Sequence, residues 1–189
     1  MKNRPTQSLI VKTAEQLILS YGYQGFSYND IASLINIRKA SIHYHFPKKE
    51  DLGIAFIEKY SRLFSLWVKR LGPIPYRDKL IAFCRMYGSL SNECTRICPI
   101  GMVAADYHSM PKGIQDRSQQ LITQVEEWLT DLVDNGKNAG EFRQNLNSTD
   151  TARHMIYVMS GSLKMARIYK EPERIRRAEK DLVYHICAD

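Results

Sequence analysis

Residues 27–49 read Ser27-Tyr28-Asn29-Asp30-Ile31-Ala32-Ser33-Leu34-Ile35-Asn36-Ile37-Arg38-Lys39-Ala40-Ser41-Ile42-His43-Tyr44-His45-Phe46-Pro47-Lys48-Lys49, and their pattern predicts two short helices joined by a tight turn. Ser27 can cap the first helix while Asp30, three residues on, reaches back to it. The apolar spacing carries that helix over residues 28–35. Asn36 follows, a residue whose tolerance of left-handed backbone suits a sharp change of direction. A second helix is expected over 39–45. Pro47 ends it and opens a long helix over 48–71, with Glu50 and Asp51 placed where acids complement the helix dipole. Ala32 is small enough for close approach, and Ile31, Ile35, Ile37 and Ile42 supply a shared core. This is the form of a helix-turn-helix, whose second helix enters the major groove of DNA. The alternative is an ordinary helical hairpin with a basic face.

Working outward, residues 8–21 place Leu9, Ile10, Thr13, Ala14, Leu17, Ile18 and Tyr21 on one stripe, and Gly22 follows as a stop. Beyond residue 71 the run Gly72-Pro73-Ile74-Pro75 breaks the chain, and helical spacing resumes over 77–93, 100–108, 112–138, 149–169 and 173–187. The separators are Cys98-Pro99, Met110-Pro111, Asn138-Ala139-Gly140 and Glu171-Pro172. No period-two alternation stands out, so the fold class is all-α. The expected division is a three-helix DNA-binding bundle over residues 1–50, joined through the long helix to a larger domain over 51–189.

Charge names the partner class. The 189-residue chain carries +7, and residues 1–50 hold seven basic side chains against three acidic ones, so a quarter of the chain carries more than half of the excess. Residues 38–49 contain four positives and no negative, which suits a polyanion such as double-stranded DNA. The four cysteines, Cys84, Cys94, Cys98 and Cys187, are too few and too irregularly spaced for a secreted disulfide framework, so a reducing cytoplasm is expected. An apolar leader is missing from the first residues, and no apolar run approaches the roughly 18 residues of a membrane span. His43 and His45 are two apart, about 200° around a helix, and cannot converge on one metal. Cys94 and Cys98 have no second ligand pair at zinc spacing. Neither metal nor cofactor is expected.

Over residues 8–52 the sequence resembles the TetR family of bacterial transcription repressors. The resemblance rests on Tyr21-Gly22-Tyr23, on Ser27-Tyr28-Asn29-Asp30-Ile31-Ala32, on Ile42-His43-Tyr44-His45-Phe46 and on Lys48-Lys49-Glu50-Asp51-Leu52. Departures are Asn36 for the frequent turn glycine, Arg38 and Lys48 for small capping residues, and His43 where tyrosine is common. The resemblance implies phosphate contacts from Ser27, Tyr28, Tyr44 and Lys49, which set affinity and register. Arg38, Lys39, Ser41 and His43 are then expected at base edges, with Ala40 near a thymine methyl.

The resemblance also implies a ligand cavity among the middle helices. The candidates for lining it are Tyr60, Phe64, Trp67, Phe83, Tyr87, Cys98, Met102, Tyr107, Val125 and Trp128. The alternative for each aromatic residue is simple core packing. Cys98 follows Arg96 and precedes a helix, an arrangement that lowers a thiol pKa and suits an electrophile or oxidant sensor; it resembles a subgroup with Cys-x-x-Gly here. A buried, inert cysteine is the other reading. In the family the last two helices form a two-fold dimer interface, which implies a palindromic operator. Here they carry Ala152, Met155, Ile156, Val158, Met159, Gly161, Ser162 and Leu163, then Ile175, Leu182, Val183 and Ile186. The expected function is a homodimeric, effector-released transcriptional repressor without enzymatic activity. Competing readings are a thiol enzyme using Cys98 and His108, and a non-specific nucleic-acid binder.

Overall fold

The computed structural model describes residues 4–90, 98–105 and 107–188. The expected roles of Cys94, Arg96 and the Met102 side chain lie outside the described residues. The helices are α1 (Arg4–Tyr21), α2 (Tyr28–Leu34), α3 (Lys39–His45), α4 (Lys49–Leu71), α5 (Tyr76–Leu90), α6 (Pro99–Ala105), α7 (Lys112–Asn138), α8 (Ser148–Tyr169) and α9 (Glu173–Ile186), with a 3-10 turn at Tyr107–Ser109. Among the described residues there is no strand, only an isolated bridge between Phe142 and Cys187. The all-α expectation holds. α1 begins four residues earlier than the apolar spacing indicated. Pro5 sits in its first turn, where a missing N–H costs nothing because that donor has no partner in the helix.

Packing divides the chain into two compact units. The first takes residues up to Leu63 together with Pro99–Leu121; the second takes Phe64–Cys98 and Ile122 onward. The first unit thus includes α6 and the start of α7.

In the first unit α1 packs on α2 and α3, and Ile10, Ala14, Ile18, Ile31, Ile42, Phe46, Leu52 and Phe56 are buried. The turn between α2 and α3 closes as the sequence predicts. Asn36 has φ 51°, and the Ile37 N–H returns to the Ala32 carbonyl at 3.1 Å. That bond satisfies one of the helix-terminal carbonyls that would otherwise be orphaned. α4 and α7 approach where glycines leave room. A Cβ on Gly53 would stand 2.4 Å from Ile114, and the Gly113 N–H donates to Glu50 Oε1 at 3.1 Å.

In the second unit α8 packs on α9, and α5 packs on both. The α7–α8 connection is pinned by Phe142, which is buried against Gly136 so tightly that a Cβ there would meet its ring at 2.3 Å. Backbone bonds from Arg143 to Ile186 (3.0 Å) and from Ala188 to Glu141 (2.9 Å) tie the C-terminal residues to the same connection.

Candidate nucleic-acid interface and effector core

α3 is sharply two-sided. Ile42, His45 and Phe46 are buried, Ser41 is half-buried, and Arg38, Lys39, Ala40, His43 and Tyr44 are exposed. One helical turn separates 39 from 43 and 40 from 44, so Lys39–His43 and Ala40–Tyr44 form adjacent rows on a single outward face. Tyr44 is 61% exposed, a large aromatic left in water beside cations. That is a surface able to meet phosphate and base edges.

The residues behind this face turned out to be braces. Tyr28 is buried, and its hydroxyl lies 2.9 Å from the Phe46 carbonyl and 2.8 Å from the Lys48 carbonyl, so its proton is spent inside the fold. Burial foremost holds that phenol well above its ordinary pKa. Tyr28, expected at a phosphate, ties α2 to the α3–α4 turn in this chain. Lys49 is likewise engaged inside the fold. Its Nζ donates to the Phe26 carbonyl at 2.5 Å and lies over the Phe26 ring at 4.2 Å and the Tyr23 ring at 4.8 Å. Burial pushes its pKa below the usual lysine range, as desolvation of an ammonium requires.

Lys48, which sequence reasoning left out of the contact set, is exposed, and its N–H donates to Asp51 Oδ2 at 2.8 Å. The signal was the adjacent Lys48-Lys49 pair, since two neighbours cannot both lie along one apolar surface. Ser27 remains exposed but acts as the cap. Its N–H and Oγ donate to Asp30 Oδ2 at 2.7 and 2.8 Å. These bonds, the hydroxyl's first, hold the Asp30 carboxyl below its ordinary pKa.

In the second unit, five of the expected effector residues form one continuous aromatic group. Phe64 lies 5.8 Å from Trp67 and 5.7 Å from Trp128, and the two indoles are 5.3 Å apart. Phe83 joins Trp128 at 6.1 Å and Tyr87 at 5.2 Å. Val125 is buried one turn before Trp128 on α7. Phe64, Phe83 and Tyr87 are buried, while the two tryptophans are half-buried. The Tyr87 phenol is buried among these rings. Burial first, and then the Cys98 thiol, raise its pKa far above the ordinary range.

Cys98 is buried directly before α6, which favours the buried-cysteine reading, whereas His108 is exposed in the 3-10 turn. The first unit holds the other two candidates, Tyr60 and Tyr107. The Tyr60 hydroxyl donates to Glu15 Oε1 at 2.6 Å, with Lys59 paired to the same carboxylate, so Tyr60 braces α1 against α4. Tyr107 is exposed, and its carbonyl accepts from Gln115.

Known proteins match both parts of the chain. "Bacterial regulatory proteins, tetR family" matches residues 10–56, and "Tetracyclin repressor-like, C-terminal domain" matches residues 77–182. The chain belongs to the TetR family. A TetR transcriptional regulator from Legionella pneumophila is 30% identical, covering 96% of this chain and 97% of that one, with a TM-score of 0.86. A TetR-family regulator from Agrobacterium tumefaciens shares the fold at 23% identity and a TM-score of 0.92, covering 98% and 99%. The HTH-type transcriptional repressor NemR of Escherichia coli K12 is 27% identical over 81 residues, a match spanning 41% of either chain.

The last helices of this TetR-family chain bury much of their apolar surface inside the chain itself. Ala152, Met155, Ile156, Met159 and Leu163 of α8, with Ile175, Leu182 and Ile186 of α9, are buried within their own chain. The outward apolar residues are a separate set: Tyr157, Met165, Ile168 and Tyr169 on α8, and Tyr184 on α9. On α8 they share one stripe with Gly161, where an added Cβ would meet nothing within 4 Å. Among the described residues no helix is long and apolar enough to cross a membrane.

Proposed function

We propose that this chain is a cytoplasmic, homodimeric transcriptional repressor that binds a palindromic operator through α3 and releases it when a small apolar effector enters the aromatic group of the second unit. The observation that carries the reading is the outward face of α3. It sets Arg38, Lys39, Ala40, His43 and Tyr44 toward solvent on a helix-turn-helix whose other side is core. Arg38, Lys39, Ala40 and His43 then read bases, with the half-buried Ser41 at the edge of that surface. Tyr44 and Lys48 hold phosphates, and Ser27 stands at the α2 N-terminus close to the backbone. Repression follows NemR, which is named a repressor. The functional division stays that of a DNA-binding head over 1–50 and an effector and dimerisation part over 51–189. Dimerisation uses the outward stripe of Tyr157, Gly161, Met165 and Ile168, with Tyr184, because an exposed apolar face of this kind belongs at an interface.

Sequence selection from random duplexes at fixed salt tests the reading together with the mass in solution. A palindrome and a dimer are expected, and enrichment of asymmetric sites by a monomer refutes it. Gly161→Leu, open in the single chain, is expected to favour the monomer. Both tryptophans of the chain lie in the aromatic group, so effector entry is expected to change intrinsic fluorescence.

A further inference from the structure

His43 stands on the outward face of α3 with its ring held from two directions. Nδ1 lies 3.4 Å from the carbonyl oxygen of Pro47. The Tyr28 ring packs edge-on against the imidazole, with centroids 4.9 Å apart and planes at 67°. Tyr28 is itself immobilised through its hydroxyl on the Phe46 and Lys48 carbonyls, so the surface that orients His43 belongs to the core.

A carbonyl oxygen can only accept. The contact favours the tautomer with its proton on the nitrogen facing Pro47, and in that neutral ring the other nitrogen is a bare lone pair. That nitrogen, Nε2, is the atom farther from the backbone, on a side chain exposed to solvent. In the major groove, adenine and cytosine present an exocyclic amino donor, whereas guanine offers O6 and N7 and thymine offers O4, all acceptors. An acceptor facing an acceptor leaves both groups desolvated and unpaired.

We propose that His43 is a specificity-determining residue that accepts a hydrogen bond at Nε2 from the amino group of an adenine or cytosine, one per half-site. The inference rests on α3 being the recognition helix and adds the class of base it reads. It assigns Arg38 and Lys39, which can only donate, to the complementary task of meeting guanine.

Two measurements test it. In the free protein at about pH 8, above the usual imidazole range, long-range proton–nitrogen correlation is expected to find the His43 ring proton on Nδ1 and Nε2 unprotonated. A proton on Nε2 overturns the inference without touching the recognition-helix reading. In sequence selection, His43→Phe, which keeps a ring against Tyr28, is expected to flatten an adenine or cytosine preference at one position per half-site by about fivefold, the worth of one hydrogen bond. His43→Arg is expected to convert that position to guanine. No position that responds to His43→Phe, or a responding position at which His43→Arg does not put guanine in place of the adenine or cytosine, overturns the inference alone. Binding with no sequence preference overturns it together with the reading beneath it.

Discussion

Replacing Tyr28 with phenylalanine separates an internal brace from a DNA contact by removing one oxygen and leaving the ring in place. The hydroxyl is shared between two carbonyls, at 2.9 and 2.8 Å. It has one proton to give, so about 1 kcal/mol of net hydrogen bonding is lost, plus part of the 1–3 kcal/mol penalty of a buried acceptor without a partner. The Lys48 carbonyl is only part-buried and can recover water, which holds the total near 1–2 kcal/mol. For a chain of this length each kcal/mol lowers the melting temperature by roughly 2–4 °C. Thermal melts read that loss, and fluorescence anisotropy with operator DNA well below the transition reads affinity. Tyr28→Phe is expected to melt earlier and bind DNA within about twofold of the parent, since the buried hydroxyl makes no contact worth the roughly fivefold of a lost hydrogen bond. Tyr44→Phe, at an exposed position, is expected to do the reverse. An unchanged melt with severalfold weaker binding for Tyr28→Phe refutes the brace.

The adjacent lysines should divide in the same manner. Lys48→Ala is expected to lower the salt dependence of DNA binding by about one charge, while Lys49→Ala leaves the slope and costs about 1 kcal/mol of stability through its lost aromatic and carbonyl partners. Gly136→Ala tests packing against propensity. Alanine in a helix interior ordinarily stabilises by about 1 kcal/mol, but a Cβ 2.3 Å from the buried Phe142 ring is expected to reverse the sign in urea denaturation. Asp30 sets a pH signature. Its folded pKa is lowered by Ser27, so its stabilising contribution is present above the ordinary carboxylate range and is lost as pH falls through the folded value. Asp30→Asn is therefore expected to make the acid limb of a stability–pH curve shallower, and an unchanged limb removes the cap from the account.

The helix order and the two-sided recognition helix were legible in the sequence because both rest on local rules. Periodicity placed α2, α3 and α7 within a residue of their observed ends. Asn36 announced its left-handed turn, and Ser27 with Asp30 announced the cap. Among the candidates that the family resemblance offered for a cavity, Phe64 and Trp67 on α4, Phe83 and Tyr87 on α5 and Trp128 on α7 form one group. The packing of α5 on α8 and α9 stayed hidden, because nothing local relates these helices.

What the chain determines by itself is which residue types occupy which face of each helix: backbone geometry, caps and the hydrophobic period act over a turn or two. Only the tertiary structure decides what a face meets. Tyr28 and Lys49 look like phosphate contacts by position, yet one finds carbonyls 18 and 20 residues away and the other a carbonyl 23 residues away. The apolar stripes of α8 and α9 can face a partner or each other, and in this chain their buried sides are spent on intramolecular packing, leaving Tyr157, Met165, Ile168, Tyr169 and Tyr184 outside. Hydrogen bonds and apolar contacts saturate with whatever long-range neighbour the fold delivers first, and a linear sequence does not contain that neighbour's identity.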